Sequence, residues 1–113
     1  METLARYREA AIAHGEASTE GNARRANRAF DRLTRIRQQL RRGGPEQAHS
    51  ILTLLDDESI FVRKAAAVDA LELAPEAGVR VLRAIAEGPM SPTRGSADTL
   101  LEQWMTGTFE KTW

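Results

Sequence analysis

The sequence contains no cysteine. That excludes disulfides, thiolate nucleophiles and zinc sites built on cysteine, and it suits a reducing compartment. Aromatic residues make up only 5% of the chain, so a core must be built mainly from Leu, Ile, Val and Ala. No apolar run approaches the roughly 20 residues needed for a membrane helix. The opening residues, Met1-Glu2-Thr3-Leu4-Ala5-Arg6-Tyr7, lack the basic stretch and apolar core of a secretory leader. A cytoplasmic protein with no membrane association is expected. Also missing are a phosphate-cradling glycine loop, a dinucleotide fingerprint and a Ser-His-Asp set. No catalytic residue, metal ligand or cofactor is expected, and the chain does not read as an enzyme.

What is present is a chain of 113 residues with 42% apolar and 28% charged content, a composition that folds as one globular domain. Net charge is zero, but it is unevenly placed. Residues 1–20 hold four Glu and two Arg, residues 21–44 hold eight Arg and one Asp, and residues 45–113 hold six Lys/Arg and eleven Asp/Glu. The net charges are therefore −2, +7 and −5: a basic segment set in an acidic remainder.

Hydrophobic spacing predicts six helices and no strong strand. The first, over 2–17, carries Leu4, Tyr7, Ala11 and His14 on one stripe. Gly21-Asn22 breaks the pattern, and Asn22 suits an N-cap. The second, over 23–41, has the stripe Ala26, Phe30, Leu33, Ile36 (or Arg37) and Leu40, with Arg24, Arg28, Arg32 and Arg35 along another face. Gly43-Gly44-Pro45 ends it and starts a third helix over 45–55. A polar turn, Asp56-Asp57-Glu58-Ser59, precedes a fourth helix over 59–73. That helix carries small apolar residues nearly all round, so neighbours should pack on more than one of its sides. A fifth helix spans 76–87 and a sixth 93–105, with Gly107 as the stop. Residues 108–113 read as an irregular tail that Phe109 and Trp113 could anchor.

The third and fifth helices align at an offset of thirty, Pro45, Ile51, Leu52 and Leu55 over Pro75, Val81, Leu82 and Ile85. The fourth and sixth align at thirty-one, Arg63 and Ala66 over Arg94 and Ala97. Such a period is the mark of stacked helical hairpins. The run Leu55-Asp56-Asp57, Val62-Arg63, Ala66-Ala67 and Ala70-Leu71 resembles the HEAT-repeat pattern, in which an acidic turn precedes a helix opening with Val-Arg and continuing with paired alanines. The resemblance covers about half the chain, from Pro45 to Trp104. Its second unit departs from the pattern: Gly88-Pro89 replaces the acidic turn and no Val precedes Arg94.

The N-terminal half is also informative. Tyr7 with Ala10-Ala11, then Gly21-Asn22, Ala26-Asn27-Arg28, Phe30-Asp31-Arg32-Leu33 and Gly44-Pro45-Glu46, is similar to a family of short bacterial proteins of uncharacterised function. There the same start precedes one or two HEAT-like units. The resemblance implies an α-solenoid fragment and brings no active site.

The expected architecture is all-α, a short HEAT-like α-solenoid of about six antiparallel helices. Residues 1–107 would form one domain, with a hairpin over 1–44 and repeat units over 45–107, followed by the tail 108–113. Asp56, Asp57, Arg63 and Arg94 are expected to be structural repeat residues, with Arg63 tied to the acidic turn. Arg24, Arg28, Arg32 and Arg35 are the candidate partner-binding residues, because guanidinium groups fork onto carboxylates and phosphates alike. The expected function is non-catalytic: a protein-interaction module meeting a protein with an acidic surface, with an immunity-type protein that neutralises a toxin as one concrete version. Nucleic acid is the alternative partner. Zero net charge and the lack of interleaved aromatics disfavour it.

Overall fold

The structure, a computed structural model, describes residues 2–109. Among these the chain is entirely helical: α1 (Glu2–Thr19), α2 (Ala23–Arg42), α3 (Pro45–His49), a 3-10 segment (Ser50–Asp56), α4 (Ile60–Leu73), α5 (Pro75–Ala86) and α6 (Pro92–Thr106). The radius of gyration is 13.1 Å, the value expected of a folded domain this long. No described helix is long and apolar enough to cross a membrane.

Local chemistry sets the boundaries. Asn22 caps α2, its side chain accepting from the Arg25 amide at 3.1 Å, and Ser91 caps α6 by accepting from the Arg94 amide at 3.1 Å. Prolines occupy the first turns of α3, α5 and α6, where a missing N–H costs nothing. Gly44 adopts φ +101° between α2 and α3, a conformation that side-chain-bearing residues avoid.

The expected single helix over 45–55 is instead split. After α3 the backbone tightens into the 3-10 segment. There Ser50 Oγ donates to the Gln47 carbonyl at 2.5 Å and Thr53 Oγ1 to the Ser50 carbonyl at 2.7 Å, so hydroxyls compete for carbonyls that an α-helix would use. Ile51 and Leu55 still reach the core.

Helix α4 is the centre of the fold. It packs on α1, on the 3-10 segment, on α5 and on α6. Its alanines Ala66, Ala67 and Ala70 are fully buried and let neighbouring backbones approach closely. Gly78 of α5 uses that approach: a Cβ there would lie 2.7 Å from the Ala67 carbonyl oxygen and 2.9 Å from the Leu71 nitrogen. α1 packs chiefly along α2 and against α4, so the N-terminal hairpin shares the core instead of standing apart from it. In the α2 stripe the buried residues are Ala29, Leu33, Ile36, Arg37 and Leu40. Ala26 and Phe30 are half-buried and Asn27 is exposed. Of the two tail anchors, Phe109 meets Trp104 edge-on with ring centroids 5.8 Å apart; Trp113 lies outside the described residues.

Candidate functional site

Six of the eight α2 arginines divide by face, while the exposed Arg25 pairs with Glu20 at 3.2 Å. On the inner side, Arg37 forms an ion pair with Asp69, and Arg41 Nη2 reaches Glu72 Oε2 at 3.0 Å. Both carboxylates belong to α4. On the outer side, Arg24, Arg28, Arg32 and Arg35 are all exposed. They enter no ion pair among the described residues. Their i, i+4, i+8, i+11 spacing keeps them on one strip of the helix. Arg28, Arg32 and Arg35 line a shallow groove between α1 and α2 of about 480 Å³, with Arg25 and Asp31 also on its walls. Arg32 and Arg35 also line a second groove of about 400 Å³ with Arg6, Glu9 and Gln39. Three of the four expected residues thus share a surface, and Arg24 lines neither groove.

The acidic turn is a structural junction. The Asp57 carboxylate accepts from Arg8 Nε at 2.9 Å and from the Ser59 amide at 2.9 Å. Arg63 Nη1 donates to the backbone carbonyls of Asp57 and Glu58, at 2.7 and 3.1 Å. The hydrogen bond from Arg8 holds the Asp57 carboxyl below the usual carboxylate range. Asp56 is exposed at the end of the 3-10 segment. Arg94 does not repeat the contacts of Arg63: its guanidinium lies 3.9 Å from the Met90 sulfur, because the loop before α6 offers no equivalent acidic turn.

A buried polar cluster escaped the sequence reading. The Tyr7 hydroxyl of α1 donates to Asp69 Oδ2, and Arg37 of α2 pairs with Oδ1 of the same carboxylate. The three residues are 0%, 1% and 3% exposed. Burial, reinforced by the neighbouring Asp69 charge, pushes the Tyr7 phenol well above its ordinary value. The signal was available: Asp69 interrupts an otherwise apolar run, and Arg37 falls on the buried stripe of α2. Neither pattern names the partner, which is 62 residues away in the Tyr7–Asp69 bond.

Four helices, α1, α2, α4 and α6, surround a cavity of about 320 Å³. Its walls carry the rings of Phe30, Phe61 and Phe109 and the cationic side chains of Arg37 and Lys64, with His14 beside them. Among the described residues no group of His, Asp or Glu could hold a metal ion.

Fold and surface together define a class: a small all-helical protein with an arginine strip on its second helix and a buried Tyr–Arg–Asp cluster behind it. The sequence matches the family described as a domain of unknown function, DUF2019, over residues 2–104, and the chain belongs to that family. A solved structure, the crystal structure of the protein RPA1889 from Rhodopseudomonas palustris CGA009, is similar with a TM-score of 0.88 at 25% identity. The match covers 98% of this chain and 92% of that one. No curated protein matches the sequence.

Proposed function

We propose that the protein is a non-catalytic binding module whose outer α2 face receives an acidic segment of a partner protein. The carrying observation is the division of the arginines: Arg37 and Arg41 are committed to α4, while Arg24, Arg28, Arg32 and Arg35 point outward without ion pairs among the described residues. Exposed guanidinium groups in a strip suit forked hydrogen bonds to successive carboxylates. Asp31 and Glu9 among the groove-lining residues break the positive field, which favours a patterned peptide over a uniform phosphate backbone. The pairing of α4 with α5 and α5 with α6, and the grip of Arg63 on the preceding turn, support a HEAT-like reading of residues 45–107. A cytoplasmic bacterial antidote is one form such a module takes.

Fluorescence anisotropy tests the reading with a labelled Asp/Glu-rich peptide, duplex DNA and single-stranded RNA across a salt series. The peptide is expected to bind. The double variant Arg28→Glu/Arg32→Glu should lose that binding while its thermal midpoint stays within a few degrees of the parent, because exposed charges contribute little to stability. Tighter binding of DNA or RNA with a steep salt slope would replace the protein partner with nucleic acid. Peptide affinity untouched by the double variant would remove α2 from the site.

A further inference from the structure

The cavity between α1, α2, α4 and α6 has a charge pattern that the arginine strip does not explain. Its body is apolar: Phe30, Phe61 and Phe109 supply three of the chain's few aromatic rings, with Leu33, Val68 and Leu100 between them. The ring of Phe61 can lie against α1 because Gly15 has no Cβ; one placed there would sit 2.2 Å from that ring. Among the lining residues there is no carboxylate. There are cations, however. Arg37 is committed to Asp69, and His14 sits beside Phe30 with ring centroids 5.6 Å apart. Lys64 has no carboxylate partner among the described residues.

Lys64 is half-buried on this apolar wall. Burial lowers the Lys64 pKa, and the His14 pKa falls through burial and the nearby Lys64 and Arg37 charges. A half-buried ammonium on an apolar wall with no carboxylate among the lining residues leaves a place for an anion. The free volume falls in the range of small-ligand sites, about 300–1,000 Å³. One uncommitted ammonium matches a monoanion better than a phosphate dianion.

We propose that this cavity binds a monocarboxylate with an apolar body, Lys64 serving as its counter-ion and Phe30, Phe61 and Phe109 enclosing the body. The carboxylate would be either a straight acyl chain or an aromatic acid. The two share this chemistry and are separated by experiment.

Isothermal titration of the full chain with octanoate and with naphthoate is the test, using octanol and naphthalenemethanol as neutral controls of the same shape. At least one carboxylate should saturate with a single equivalent, and whichever binds tighter names the body. Its neutral counterpart should bind about tenfold or more weakly. Lys64→Met should weaken the carboxylate about tenfold or more, and Lys64→Arg should retain most of it. Ser96→Phe, which fills the cavity from α6 with Lys64 intact, should abolish binding in a chain that circular dichroism shows to be folded. Three results would overturn the proposal: no saturable binding of either carboxylate, equal affinity for acid and alcohol, or an affinity that Lys64→Met leaves unchanged.

Discussion

One carboxylate, that of Asp69, joins three helices. It is almost wholly buried, and it accepts from Tyr7 of α1 and pairs with Arg37 of α2 while belonging to α4. Removing it takes the paired carboxylate away from the buried Arg37 guanidinium, so Asp69→Ala should cost about 3–5 kcal/mol in urea denaturation. The same principle gives a sharper comparison. The all-apolar triple variant Tyr7→Phe/Arg37→Met/Asp69→Leu should be more stable than Asp69→Ala alone, since it removes the buried guanidinium together with its carboxylate. A triple variant less stable than the single one would show that the cluster contributes more than its own charge balance. This scale was the least legible in the sequence. Helical spacing puts Tyr7 on one buried stripe and leaves Arg37 an alternative to Ile36 on another. Periodicity identifies a face; it does not say which face across the fold receives it. Lys64 was missed for a related reason: a lysine at one edge of an alanine-rich run looks like a solvated residue, and the sequence does not show that α1 and α6 share a cavity wall with it.

Helices were far more legible, because caps and breakers act locally. Asn22, Gly44-Pro45 and Gly107 all mark the ends they were expected to mark, within a residue or two. The exception is the 3-10 segment, whose apolar spacing fits an α-helix and whose tightening depends on hydroxyl-to-carbonyl bonds that spacing does not encode. The crossing of α4 and α5 makes a testable contrast at this scale. Gly78→Ala would gain up to about 1 kcal/mol of helix propensity. It would also push a methyl into the Ala67 carbonyl and the Leu71 amide, backbone atoms that cannot swing aside. A net loss of about 1–3 kcal/mol is expected in thermal or urea melts. Gly95 of α6 is the control: a Cβ there meets nothing within 4 Å, so Gly95→Ala should be neutral or stabilising by about 0.5–1 kcal/mol. Equal effects at the two glycines would mean that the α4–α5 crossing has slack.

At the scale of the whole chain, the sequence reads as one domain over 1–107 made of an N-terminal hairpin and repeat units. The structure ties the hairpin into one core. Tyr7, Arg37 and Arg41 all find their partners on α4, and the hydrophobic core runs from Ala10 and Leu33 through Val62 and Leu71 to Leu82. A fragment ending at Gly44 would leave Tyr7 and Arg37 without Asp69, and its two helices would expose the face they turn toward α4. We expect that fragment to show no cooperative thermal transition by circular dichroism, in contrast to the full chain. A fragment that melts cooperatively near the midpoint of the full chain would make the hairpin a folding unit of its own. The charge map was legible at this scale, and the basic segment is indeed α2. The separation of Arg37 and Arg41, paired to α4, from the exposed Arg24, Arg28, Arg32 and Arg35 was not, because both groups share one helix and one residue type.

Two neighbouring residues of α1 have a further consequence. Tyr7 bonds to Asp69, in the body of α4, while Arg8 bonds to Asp57, in the turn before α4 begins. A slip of α1 by one residue would shift it about 1.5 Å and turn it by about 100°, breaking both bonds at once. The N-terminal hairpin therefore has one permitted phase against the rest of the molecule, as a keyed shaft has in its hub. Since α1 carries α2, the angle at which the arginine strip faces the surroundings is indexed to α4.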